Sequence, residues 1–168
     1  MYLILVILHL LGAVIWFGGI LFIALVLVPV SRAFGDTGNA LVRAVGRRFL
    51  WVAWPAIALA VATGIVLGFN RGFLEALFTG SLFDFPQGGL FTLKVLLVLA
   101  SLVLEALHDW VVGPRGGRLE RAALATNPPD PALLAKAQAM RRATARIASV
   151  NGGVVLAIVI IGVWLSRG

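Results

Sequence analysis

Four long apolar stretches separated by polar connections set the pattern of this chain. They run from Tyr2 to Val30, Phe49 to Phe69, Leu90 to Val112 and Ile147 to Ser166. As helices rising about 1.5 Å per residue, each is long enough to cross a hydrocarbon layer of about 30 Å. The pattern predicts an all-α integral membrane protein. Residues 1–168 are expected to form a single domain, a four-transmembrane-helix bundle.

Punctuation between the spans sharpens this reading. Pro29 ends the first span and Gly113-Pro114 the third. Asp36 is placed to cap a helix leading into the second span, and Pro55 one turn inside it favours a bend. Phe73, Leu74, Leu77 and Phe78 predict a short interfacial helix, with Leu82, Phe83 and Phe85 dipping into the headgroup region. Residues 116–126 predict another short helix. Asp130 as N-cap and Pro131 at the first helical position start a helix that continues into the fourth span, where Gly152 and Gly153 permit a bend. Ala53, Ala56, Ala60 and Gly64 form a small-residue stripe suited to close helix packing.

Composition agrees. Hydrophobic residues make up 61% of the chain and charged residues 12%, against about 25% charged in a soluble domain. There is no cysteine, which excludes thiolate metal sites and thiol redox chemistry. The N-terminal apolar run lacks a basic leader and far exceeds the h-region of a cleavable signal, so it is read as a retained span. The formal net charge is +7, but the basic residues flank spans, where positive charge sets topology, and nucleic acid is not the inferred partner. The connection Ser31–Arg48 has four arginines and one aspartate, net +3. Arg115–Arg146 has seven basic and two acidic residues, net +5. Asn70–Gly89 is net −1. The positive-inside rule places both basic connections in the cytoplasm and both termini outside, in a multi-pass protein of the inner membrane.

Chemistry gathers in the third span. At 100° per residue Lys94, Ser101, Glu105 and His108 fall on one stripe about 60° wide, with Asp109 at its rim. A central Lys or Asp in a span costs about 2.5–3.5 kcal/mol, so such groups face a bundle interior and find partners. In the first span His9 shares a face with Trp16 and with Gly12 and Ala13, whose small size lets another helix or a flat ligand come close. Counting inward, His9 lies about 10 Å and Lys94 about 8 Å from the outer surface. His108 lies about 18 Å deeper than His9, near the cytoplasmic face. A haem bridged by both histidines is therefore not expected. His9, alone or with Lys94, remains suited to a haem b in the outer half, since neutral imidazole is a usual axial ligand. Its bland alternative is a histidine bonded to a neighbouring helix. Glu105, His108 and Asp109 suit a proton relay or a carboxylate–histidine pair at a metal. Their bland alternative is pairing with Arg47, Arg48, Arg115 or Arg146. Copper(I) prefers soft sulfur ligands, and both methionines, Met1 and Met140, lie outside the spans.

Several phrases resemble the membrane domain of the copper resistance protein D family. They are HLLGAVIWFGG (His9–Gly19), GRRFLWVAW (Gly46–Trp54) leading to ATG (Ala62–Gly64), TLK (Thr92–Lys94) and LHDWVVGPR (Leu107–Arg115). The resemblance implies a four-helix membrane bundle and an association with copper uptake. The placing of His9 and Lys94 is also similar to HemJ-type membrane protoporphyrinogen oxidases, a likeness that implies haem b with those two positions important.

The leading expectation is a membrane protein binding haem b through His9, Lys94, Gly12 and Trp16. It would act as a haem-dependent oxidoreductase or electron carrier, with a quinone, porphyrin or redox protein as partner. The alternative is copper or other divalent-metal transport with His9, His108, Glu105 and Asp109 as ligands. The third is a non-catalytic membrane partner subunit. The lipid bilayer is a partner in every case, and a homo-oligomer is compatible with each.

Overall fold

Between Met1 and Ser166 the chain is helical almost throughout in the computed structural model, which describes residues 1–166. Helix α1 (Tyr2–Phe22) passes through a wide turn at Ile23–Leu27 into the short α2 (Val28–Ser31). Helix α3 (Gly35–Asn70) follows, then α4 (Phe73–Thr79), α5 (Gly88–Ala106), a second wide turn at Leu107–Val112, α6 (Gly113–Leu124) and α7 (Pro131–Ser166). The described residues include no strand. The helices of residues 2–70, 88–124 and 131–166 are long and apolar enough to cross a membrane. The first of these stretches reverses at Gly35, whose φ of 51° is open to glycine without steric penalty. It therefore supplies two apolar segments. Leu3, Val14, Leu25, Leu96, Val103 and Trp164 are each more than half exposed. Such apolar helix faces suit lipid rather than water. The fold class is an all-α membrane bundle.

The chain separates into two compact units. The first comprises Met1–Leu93 and the end of α7 from Ile161 onward. Its centre is an antiparallel hairpin of α1 and α3. Ala53, Ala56, Ile57 and Ala60 of α3 are buried, so the small-residue stripe does bring two helices close. A Cβ placed on Gly12 would lie 2.6 Å from the Ala56 carbonyl oxygen; only hydrogen fits there. At the end of this hairpin Arg71 donates from Nε (3.2 Å) and Nη2 (3.0 Å) to the Tyr2 hydroxyl, and from Nη1 to the Leu165 carbonyl (2.6 Å). Tyr2, Arg71 and Leu165 thus lie at one end of the unit, and both ends of the described chain are on one side. The predicted interfacial helix is α4. Phe73 is buried, stacks on Phe91 at 4.8 Å between centroids and meets Phe85 edge-on at 5.9 Å.

The second unit is Lys94–Ile160. In it α6 folds back on the first half of α7. Ala123 and Ala137 are buried, and Glu120 pairs with Arg141. Asp130 caps α7 as predicted, its Oδ1 accepting the N–H of Ala132 (2.8 Å) and Leu133 (3.2 Å).

Two expectations are corrected. Asp36 is not an N-cap: α3 begins at Gly35, and Asp36 lies in its first turn without a capping bond. There its charge still complements the helix dipole. Pro55 lies inside α3, which is assigned as helix from Gly35 to Asn70. Gly113-Pro114 does not end the third helix either, since α6 starts there without a break. The wide turn directly before Pro114 has Gly113 N–H bonded to the His108 carbonyl, five residues back. This spacing accommodates a proline that lacks an N–H and crowds the preceding turn. The first wide turn lies just before Pro29 in the same way.

Candidate functional site

In the first unit, His9 projects from α1 onto α3. Its Nδ1 lies 2.8 Å from the Ala60 carbonyl oxygen and 3.3 Å from Thr63 Oγ1. A carbonyl only accepts, so Nδ1 carries the proton and the basic lone pair of the neutral ring is on Nε2. The Thr63 hydroxyl donates to the Leu59 carbonyl at 2.6 Å, which turns a lone pair towards His9. The ring is edged against Gly64, where an added Cβ would meet Cε1 at 3.1 Å. Gly12 backs onto Ala56 and Ala60. The neighbour that the small residues admit on this face is therefore a helix. Trp16, two turns further along α1, is 4% exposed. Its indole N–H is buried with no hydrogen-bond partner among the described residues.

Lys94 lies on α5, half-buried and engaged, and opens the second unit, whereas His9 belongs to the first.

In the second unit the polar residues of α5 and of the turn after it form two bonded groups. Ser101 and Asn151 are 0% and 2% exposed. The Ser101 hydroxyl donates to Asn151 Oδ1 at 2.6 Å. The Asn151 amide N–H in turn donates to Glu105 Oε2. Beyond them His108 Nδ1 lies 2.8 Å from Asp109 Oδ1. The Asp109 side chain is 6% exposed and that of His108 34%. Because Asp109 takes the Nδ1 proton, the lone pair of the neutral imidazole is on Nε2. The 100°-per-residue projection does not hold past Leu107, because the wide turn inserts a residue into the helix.

Of the three residues grouped from the sequence, His108 and Asp109 are bonded to each other and Glu105 is bonded to Asn151. Sequence reasoning did not name Asn151 as the partner of Glu105, nor Thr63 as a neighbour of His9. The available signal was isolation: Asn151 is the main internal polar side chain in an apolar span.

The donor set was tested against a resident metal centre. Among the described residues no three His, Cys, Asp or Glu side chains lie close enough together to hold one ion.

A helical membrane protein with a polar group held inside its apolar helices is the class that fold and site define. The family model for copper resistance protein D matches residues 43–165, and the chain belongs to that family. No curated protein and no solved structure matches it. The matched stretch includes Lys94, Ser101, Glu105, His108, Asp109 and Asn151, whereas His9, Gly12 and Trp16 precede it.

Proposed function

We propose that this protein moves copper ions through the inner membrane, with His108 Nε2 as the principal donor, Asp109 fixing its tautomer and Glu105 as a carboxylate donor one turn away. The observation that carries this reading is the 2.8 Å bond between His108 and Asp109. It lies within the stretch matched to the copper resistance family. Imidazole and carboxylate without thiolate suit copper(II) better than copper(I). A site with few donors also releases its ion readily, which transport requires and a resident centre does not. The basic connections are on the cytoplasmic side and both termini outside in this reading. The test is copper(II) accumulation in proteoliposomes. Wild type should accumulate copper above protein-free vesicles and His108→Ala should not. Equal accumulation by all three preparations would remove the proposal.

A second reading keeps haem b at His9. It is favoured by the Nδ1–H bond to Ala60, which assigns the basic lone pair to Nε2, and by the buried, unpartnered Trp16 N–H on the same helix. His9 would hold the haem through Nε2, the Trp16 N–H would be available to donate to it, and the bound haem would supply one-electron chemistry. Purified protein with no Soret band, oxidised or dithionite-reduced, removes this reading.

A further inference from the structure

Asn151 is the point where two helices share one buried amide. Ser101 and Glu105 stand one turn apart on the same face of α5, and Asn151 reaches them both from α7. The two ends of the amide differ. Ser101 uses its hydroxyl proton on Oδ1 at 2.6 Å, so the oxygen end is occupied by a donor. The nitrogen end is then turned to the Glu105 carboxylate. Rotating the amide by half a turn would set Oδ1 against a carboxylate oxygen and NH2 against the serine. Only the serine could adapt to that, since a carboxylate has no proton to give. Ser101 and Asn151 are sealed from solvent, so water is not at hand to replace either bond, and leaving a buried amide unsatisfied is costly.

We propose that Asn151, oriented by Ser101, is a positioning residue for Glu105. It holds Oε2 and thereby fixes the rotamer of the carboxylate, one turn before His108. The inference rests on the copper reading for its transport consequence, but the positioning itself does not need copper. Asn151 touches no transported ion in this scheme. Its role is to keep a carboxylate at a fixed place in an apolar span, where a loose carboxylate would have several rotamers to search.

Two measurements on the full-length chain in lipid separate these layers. The first is isotope-edited infrared difference spectroscopy of the metal-free protein. The Glu105 carboxylate bands are assigned by their loss in Glu105→Gln. Asn151→Leu keeps the volume and the apolar span, and should shift those bands by removing their hydrogen bond. Ser101→Ala should broaden them, because the amide loses its fixed orientation. Bands unchanged in Asn151→Leu would overturn the proposal.

The second is copper(II) transport in proteoliposomes. Asn151→Leu should raise KM by about tenfold, the lower end of the effect expected when a residue supporting a metal ligand is lost, and leave the maximal rate within about a factor of two of wild type. A wild-type KM in Asn151→Leu, with transport by the native protein established, would overturn the transport role. If the infrared shift is seen but the native protein accumulates no copper, the copper reading fails and the positioning of Glu105 stands. Retention of helical circular dichroism by Asn151→Leu shows that either result comes from a folded protein.

Discussion

His9 donates its Nδ1 proton to the carbonyl oxygen of Ala60, 2.8 Å away and 51 residues later in the chain. The bond pins the first helix to the third at the level where both are lined by small residues. It also assigns the ring's tautomer, which any ligand role for His9 depends on.

The hairpin should be sensitive to volume at that contact. Gly12→Ala would put a methyl group 2.6 Å from a backbone oxygen and should destabilise the protein by about 1–3 kcal/mol. A Cβ at Gly18 meets nothing within 4 Å, so Gly18→Ala should be neutral within about 0.5 kcal/mol. His9→Ala should fall between them, at about 0.5–1.5 kcal/mol for the lost hydrogen bond. Thermal unfolding in detergent, followed by tryptophan fluorescence, orders the three.

Asp109→Asn should separate orientation from coordination. The amide keeps the shape but loses the charge, and can present NH2 instead of an acceptor to His108. Copper affinity in the transport assay should drop by about 10- to 100-fold, while His108→Ala abolishes transport. A wild-type KM in Asp109→Asn would mean that the 2.8 Å contact has no part in ion binding.

Two polar contacts of the α6–α7 hairpin should differ in weight. Asp130 accepts two backbone N–H groups at the start of α7, and Asp130→Ala should cost about 0.5–2 kcal/mol. The Glu120–Arg141 pair is partly exposed, at 27% and 45%. Glu120→Gln should cost less than about 1 kcal/mol and less still in high salt. Denaturant titration of both variants at low and high salt checks the ranking.

Arg71 joins Tyr2 and Leu165 through three hydrogen bonds. Arg71→Gln should loosen the last turn of α7 and the first turn of α1 together. Hydrogen exchange should rise at both ends and remain unchanged around Asn151.

Topology is open to direct measurement because the chain has no cysteine. Single cysteines at Ser81 and Thr126, probed with a membrane-impermeant maleimide on intact cells, should label at Ser81 and not at Thr126. The reverse pattern would invert the proposed orientation.

The spans, the amphipathic α4 and the Asp130 cap were all readable from residue order, because each depends on local composition or on residues within one turn. The Gly113-Pro114 boundary was not, since a wide turn lets a helix pass a proline and nothing in the local pattern announces it. The site was half legible. Glu105, His108 and Asp109 are neighbours on one helix, and spacing suffices to find them. The partners of His9 and Glu105 lie 51 and 46 residues away, and spacing says nothing about them.

By itself, then, the sequence determined that the protein belongs in a bilayer, that it is helical and which stretches of the chain are its basic connections. These follow from segment length and charge, quantities that a lipid solvent reads one segment at a time. Only the tertiary structure decided which polar groups meet. That depends on the rotation and register of each helix against its neighbour, and these are set by close contacts such as Gly12 on Ala56 and Asn151 between Ser101 and Glu105.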